Sequence, residues 1–222
     1  SAHTIVFQSR AGTPELNCCS VNGPRIPGML SEWAVMAAPD GLVVNGYLPG
    51  MFTLPHTGTN RILILDRDYP RLDSQRVFIF QGGGDEWTLS LRIPAWSTRT
   101  RMAANFPGVT TNAPAGSYVR IRRRWSACDE IVLGFDAGLR VVAGANEAAG
   151  KVSLYRGPLL LAYDQAQNAF DEAAIPPINL AKLSEARMVE TKSETPRTTA
   201  ATGSVSEPWL AIDVPTADGR PL

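Results

Sequence analysis

From Gly41 onward the chain repeats one pattern, short apolar runs separated by glycine, proline, asparagine and aspartate. The runs fall at 42–44, 61–66, 76–81, 87–93, 118–125, 130–135, 139–143, 151–155 and 159–163. Within 87–93 the alternation is strict. Trp87, Leu89, Leu91 and Ile93 fall on one face, and Thr88, Ser90 and Arg92 on the other. Successive side chains of a strand point to opposite faces, so such a run has one side in a core. A series of short strands with turn residues between them predicts a mainly β fold, an antiparallel β-sandwich. Ahead of it the period changes. Met29, Trp33 and Met36, flanked by Leu30, Ala34 and Ala37, recur at spacings of three and four. That stripe predicts a helix over 27–38, stopped by Pro39-Asp40-Gly41. After Asp164 the pattern loosens: a short helical stretch near 180–188, a polar tract over 191–207, and a last strand at 209–214 available to return to the sandwich. The organisation expected is therefore 1–40, 41–165 as the sandwich, and 166–222 as a loop-rich segment with a late strand.

Charge and composition narrow the function. The 222 residues carry 21 Lys+Arg against 21 Asp+Glu, a formal charge of zero. Nucleic-acid binding and attachment to an anionic membrane surface both call for a cationic field, so neither is expected. No apolar run approaches the length of a membrane span. Hydrophobic residues make up 44%, ordinary for a globular chain. Three cysteines, two of them adjacent, do not make a disulfide framework; they fit a reducing compartment such as a bacterial cytoplasm.

Few residues carry candidate chemistry. His3 and His56 are the two histidines; no spacing builds a catalytic set around either, and His56 reads as a turn residue. Gly82-Gly83-Gly84 lacks the Lys-Ser/Thr of a phosphate loop and reads as a hairpin turn. In a strand, Arg120, Arg122 and Arg124 share a face with Tyr118, while Val119, Ile121 and Trp125 point the other way. With neutral overall charge this reads as a solvated face rather than a nucleic-acid surface. Cys18 and Cys19 differ in kind, because thiolates are both strong nucleophiles and soft zinc ligands. On residue types alone the plainer reading is two small buried side chains.

The order of several segments adds to this. L-N-C-C-S-V-N-G-P-R, the helix with L-S-E-W-A, D-G-L-V-V-N-G-Y, W-T-L-S-L-R-I-P-A-W, G-S-Y-V-R-I-R-R-R-W-S-A-C-D-E-I and Y-R-G-P-L-L-L-A-Y occur in sequence between Glu15 and Asp164. Together they resemble glycoside hydrolase family 127, the β-L-arabinofuranosidase-type enzymes. The resemblance implies an (α/α) barrel running into β-sandwiches, the 27–38 helix being the end of that barrel. It implies Cys18 as nucleophile and Cys18 and Cys19 as zinc ligands, in a retaining mechanism with a Glu as acid/base. That Glu, and a Glu and a Cys that complete the zinc site, precede the doubled cysteine in the family, and Glu15 is not equated with any of them. The chain is therefore expected to be a C-terminal part, inactive alone and without stoichiometric zinc, reaching its carbohydrate substrate through a catalytic domain elsewhere. Cys128 stands where related chains carry glycine, and reads as incidental. The helix stripe would dock on the sandwich, on a second copy in a homo-oligomer, or stay exposed. A rival expectation is a non-catalytic carbohydrate-binding or assembly module using Trp87, Trp96, Trp125 and Tyr118, though tryptophans so placed are more often core.

Overall fold

The alternating runs form strands in the computed structural model, which describes residues 25–56, 59–66, 69–81, 84–109, 112–163, 174–189 and 210–222. The chain divides into two units, Ser1–Asp136 and Ala137–Leu222. The division falls inside the stretch that the pattern assigned to one sandwich.

The first unit opens with helix α1 (Arg25–Ala34), followed directly by β1 (Val35–Ala38) and β2 (Gly41–Val44). The helix expected to reach residue 38 thus ends at Ala34. Pro39-Asp40-Gly41 stops no helix; it turns an antiparallel hairpin in which Val35 faces Val44 and Ala38 faces Gly41. Pro-Asp-Gly is turn chemistry in either setting, and Met36 continued the helical spacing by coincidence. The end of α1 is held by the chain returning past it. The amides of Asn45 and Gly46 both donate to the Ala34 carbonyl, at 2.8 and 3.2 Å. Asn45 Nδ2 donates to the Trp33 carbonyl at 3.1 Å. Carbonyls that the last helical turn leaves unpaired are satisfied in this way.

The remaining strands of this unit are β3 (Gly50–His56), β4 (Thr59–Leu65), β5 (Ser74–Gln81), β6 (Glu86–Arg92), β7 (Thr100–Ala104), β8 (Asn112–Ala113), β9 (Tyr118–Arg124) and β10 (Glu130–Gly134). They build two sheets, ordered β1-β2-β6-β9 and β3-β4-β5-β10-β7-β8. The second is antiparallel throughout. The first is antiparallel except where β2 runs parallel to β6, Gly41 beside Thr88 and Val44 beside Leu91. Three of these strands, β3, β7 and β8, have no counterpart in the sequence reading. Pro55 disguises β3, yet an edge strand tolerates a residue that cannot donate, and β3 lies at a sheet edge. Of the glycines read as a hairpin turn, Gly82 and Gly83 lie outside the described residues. The strands on either side, β5 and β6, belong to different sheets and do not pair with each other.

Both sheets feed one core. Leu42, Val44, Trp87, Leu89 and Leu91 come from the first, and Leu63, Leu65, Val77, Ile79, Ile131 and Leu133 from the second, none more than 2% exposed. Each such side chain contributes about 1.5–3 kcal/mol by leaving water. On β6 the other face is buried as well, with Thr88 4% and Ser90 8% exposed. Their cross-strand neighbours are Arg122 and Arg120 of β9. Long arginine stems shield small polar residues while their charged heads stay in water.

The second unit holds a three-stranded antiparallel sheet, β11 (Leu139–Ala143), β12 (Val152–Arg156) and β13 (Leu159–Leu160). A separate pair joins β14 (Arg187–Val189) to β15 (Ala211–Asp213), Arg187 facing Asp213. The late strand therefore pairs within the second unit and does not return to the sandwich. The stretch read as a helix near 180–188 is a short 3-10 turn, Leu180–Glu185, running into β14.

Cys128 sits in a turn with φ 71°, the left-handed region. A Cβ is disfavoured there by about 1–2 kcal/mol. The turn is fixed by its neighbours: the Cys128 amide donates to the Ile79 carbonyl at 2.9 Å, and Asn105 Nδ2 donates to the Cys128 carbonyl at 2.8 Å. Both bonds use backbone atoms of Cys128, and its side chain is exposed. Cys128→Gly should therefore keep the turn and raise the stability of the first unit by about 1 kcal/mol, read as a higher urea midpoint. A lower midpoint would show that the thiol contributes packing.

Candidate functional site

Cys18 and Cys19 lie outside the described residues, as do His3 and Glu15. His56 ends β3. Among the described residues, no group of three or more His, Cys, Asp and Glu side chains is arranged to hold a metal ion. The aromatic candidates divide. Trp87 and Trp125 are 1% and 3% exposed, their rings 5.2 Å apart, with Trp125 Nε1 donating to the Trp87 carbonyl at 3.0 Å. Neither offers a face to a ligand. Trp96 is half-buried against Phe135. Tyr118 is exposed, and its hydroxyl donates to Asn45 Oδ1 at 2.7 Å.

The arginine strand is arranged as its alternation implies. Arg120, Arg122 and Arg124 are exposed on one face of β9, with Val119 and Ile121 turned toward the core. Each of the first two has an acid: Arg120 Nη2 meets Asp40 Oδ2 at 2.5 Å, and Arg122 Nε meets Glu86 Oε2 at 3.1 Å. Arg123, on the inner side, lies 3.9 Å from the Phe106 ring centroid and 3.5 Å from Asp129 Oδ2. The strand is a row of local ion pairs.

Those pairs border a cleft of about 440 Å³ between the β1–β2 turn and the first residues of β6. Arg61 and Asp85 lie in it. On β4, Arg61 shares the inward face with Leu63 and Leu65, and it is 8% exposed. Its guanidinium lies 4.9 Å from the Trp87 ring centroid, and its Nη2 donates to Asp85 Oδ2 at 2.9 Å. The alternation 61, 63, 65 would have placed this arginine inside, but the polar residue type hid it. Asp40 stands at the rim. A hydrogen bond with the Thr88 side chain, and then the charge of Arg120, hold its carboxyl below the ordinary 3.8. The cleft thus sets carboxylates beside guanidinium donors.

Residues 41–137 match the family model for the middle domain of β-L-arabinofuranosidase GH127. This segment is GH127-like. The matched segment spans the sandwich strands from β2 to β10 and ends one residue past the first unit. A solved structure described as a glycoside hydrolase resembles this chain with a TM-score of 0.58 at 26% identity, over 64% of this chain and 24% of its own. The GH127 β-L-arabinofuranosidase of Geobacillus stearothermophilus T6 gives a TM-score of 0.60 at 22% identity, over 80% of this chain and 28% of its own. A GH127 β-arabinofuranosidase gives 0.65 at 20%, over 92% and 34%. The latter two are likenesses of fold. The chain spans about a quarter to a third of the length of these structures. Comparison with curated proteins finds no match.

The rim of the cleft has a pH signature. The folded pKa of Asp40 is lowered, so its contribution to stability is complete above the ordinary carboxylate value and is lost as pH falls through the lowered one. Asp40→Asn should have a lower urea midpoint than the wild type at about pH 5, and the two midpoints should converge toward about pH 2. A gap that stays constant with pH would refute the ionic role.

Proposed function

We propose that this chain is the C-terminal part of a retaining, zinc- and cysteine-dependent glycoside hydrolase acting on furanosides such as β-L-arabinofuranosides. The observation that carries the reading is the middle-domain match over 41–137, directly downstream of α1 and, before it, the Cys18-Cys19 pair. The bare face of α1 supports it. Ile26, Leu30 and Trp33 are 62%, 45% and 49% exposed, an apolar stripe of the kind that a helical catalytic part would cover.

In this reading Cys18 is the nucleophile. Its thiolate attacks the anomeric carbon, and the departing glycosidic oxygen takes a proton from a Glu that the rest of the parent protein supplies. Water then attacks the same carbon, gives its proton to that Glu, and breaks the carbon–sulfur bond. Two inversions retain the configuration. Cys18 and Cys19 have the soft donor atoms that suit zinc, but they are two ligands where a closed zinc site has four. The other two belong, in this proposal, to the parent protein. When bound, the ion keeps a coordinated thiol deprotonated at neutral pH.

The rival reading, a carbohydrate-binding or assembly module, loses Trp87 and Trp125 to the core and keeps Tyr118 and Trp96 as candidates.

Two measurements test the proposal. In the full-length parent, Cys18→Ser should lower the rate on an aryl β-L-arabinofuranoside by about 10³-fold or more, and an unchanged rate would remove the nucleophile. The chain alone should purify without stoichiometric zinc, with Cys18 and Cys19 both alkylated after mild reduction. One tightly held ion per chain would mean that further residues, His3 and Glu15 being the nearest, complete the site.

A further inference from the structure

We propose that the cleft beside the β1–β2 turn binds a neutral polyhydroxylated ligand, a pentose or short saccharide. Three features converge on that ligand class.

The first is Arg61. It occupies an inward position on β4, lies against Trp87 and is tied to Asp85. Taking a guanidinium out of water costs several kcal/mol even when it is paired, and well-packed apolar residues would hold this end of the sandwich equally well. What the charged pair adds is a floor of donors and acceptors fixed in place. The second is the alternation of charge. Asp85 is answered by Arg61, Glu86 by Arg122 and Asp40 by Arg120. A phosphate would meet three carboxylates, and a cation would meet arginine beside every acid, so a charged ligand gains no net field. A sugar hydroxyl both donates and accepts, and neighbouring hydroxyls match a carboxylate set beside a guanidinium. The third is shape. Pro39 and Pro55 give apolar walls for the C–H face of a sugar ring, and about 440 Å³ lies within the range of small-molecule sites.

The choice of sugar rests on the glycosidase reading; the ligand class does not. The test is an amide-shift titration of the 222-residue chain with L-arabinose, with inorganic phosphate as the charged control, repeated in the double variant Glu86→Ala, Arg122→Ala. Both replaced side chains are more than half exposed, and matching urea curves would show that the fold is kept. Saturable shifts at Gly41 and Glu86–Thr88, weakened about tenfold or more in the variant, are expected. Absence of saturation, equal affinity in the variant, or tighter binding of phosphate would overturn the proposal. Hydrolysis by the parent and its loss in Cys18→Ser are read separately, so either idea can fail without the other.

Discussion

The β1–β2 hairpin rests on β6 through a backbone contact that leaves no space for a side chain. A Cβ on Gly41 would lie 1.9 Å from the Thr88 carbonyl oxygen. This approach lets β2 enter the sheet parallel to β6, and much of the first unit follows from it. Asp40, one residue earlier, accepts from the Thr88 amide at 2.8 Å through its carbonyl and holds Arg120 with its carboxylate. Asn45, just past the end of β2, reaches back to α1 and across to Tyr118. A single glycine position thus seats a hairpin, orients a rim acid and fixes the end of a helix.

The two ends of β6 have opposite character. At the Glu86 end, arginines and carboxylates alternate around the cleft. At the Arg92 end, Tyr47, Tyr69 and Phe135 meet with ring centroids 5.4–5.9 Å apart. The Tyr47 hydroxyl donates to the Arg92 carbonyl at 2.7 Å, so its burial leaves the phenol paired. Burial pushes Tyr69 up to about 12 and Tyr47 further still. At one end the phenols stay un-ionised, and at the other arginines and carboxylates pair locally.

The sequence made the inward alternation legible wherever one face was apolar, as in β5, β6 and β9. It misled where two periods coincide. Met29, Trp33 and Met36 keep helical spacing although Met36 belongs to β1, since a short strand offers too few residues to reveal its period. A Gly-rich link has the same composition whether it turns a hairpin or changes sheets, so the change of sheet after β5 was not visible. The parallel β2–β6 pair was hidden as well, because pairing between distant segments leaves no local mark. Arg61 was hidden by its type, since a charged residue in an alternating run is read as its end rather than as its inner face. Cys18 and Cys19 acquire a role only through resemblance; two thiols side by side are chemically suggestive but do not specify a site.

Pairing between distant segments also governs how this chain reaches its fold. β6 pairs with β2 on one edge and with β9 on the other, joining segments far apart in the chain. The Asp40–Arg120 pair joins positions 80 residues apart in the chain. Topologies dominated by such distant pairings fold over milliseconds to seconds, because loop-closure entropy is spent before the contacts form. Until then the β1–β2 hairpin is a loose ribbon with an open edge, next to a helix whose apolar face is bare. Nascent chains held in that state are prone to join one another, so the slowest step of assembly is also the step most dependent on dilution.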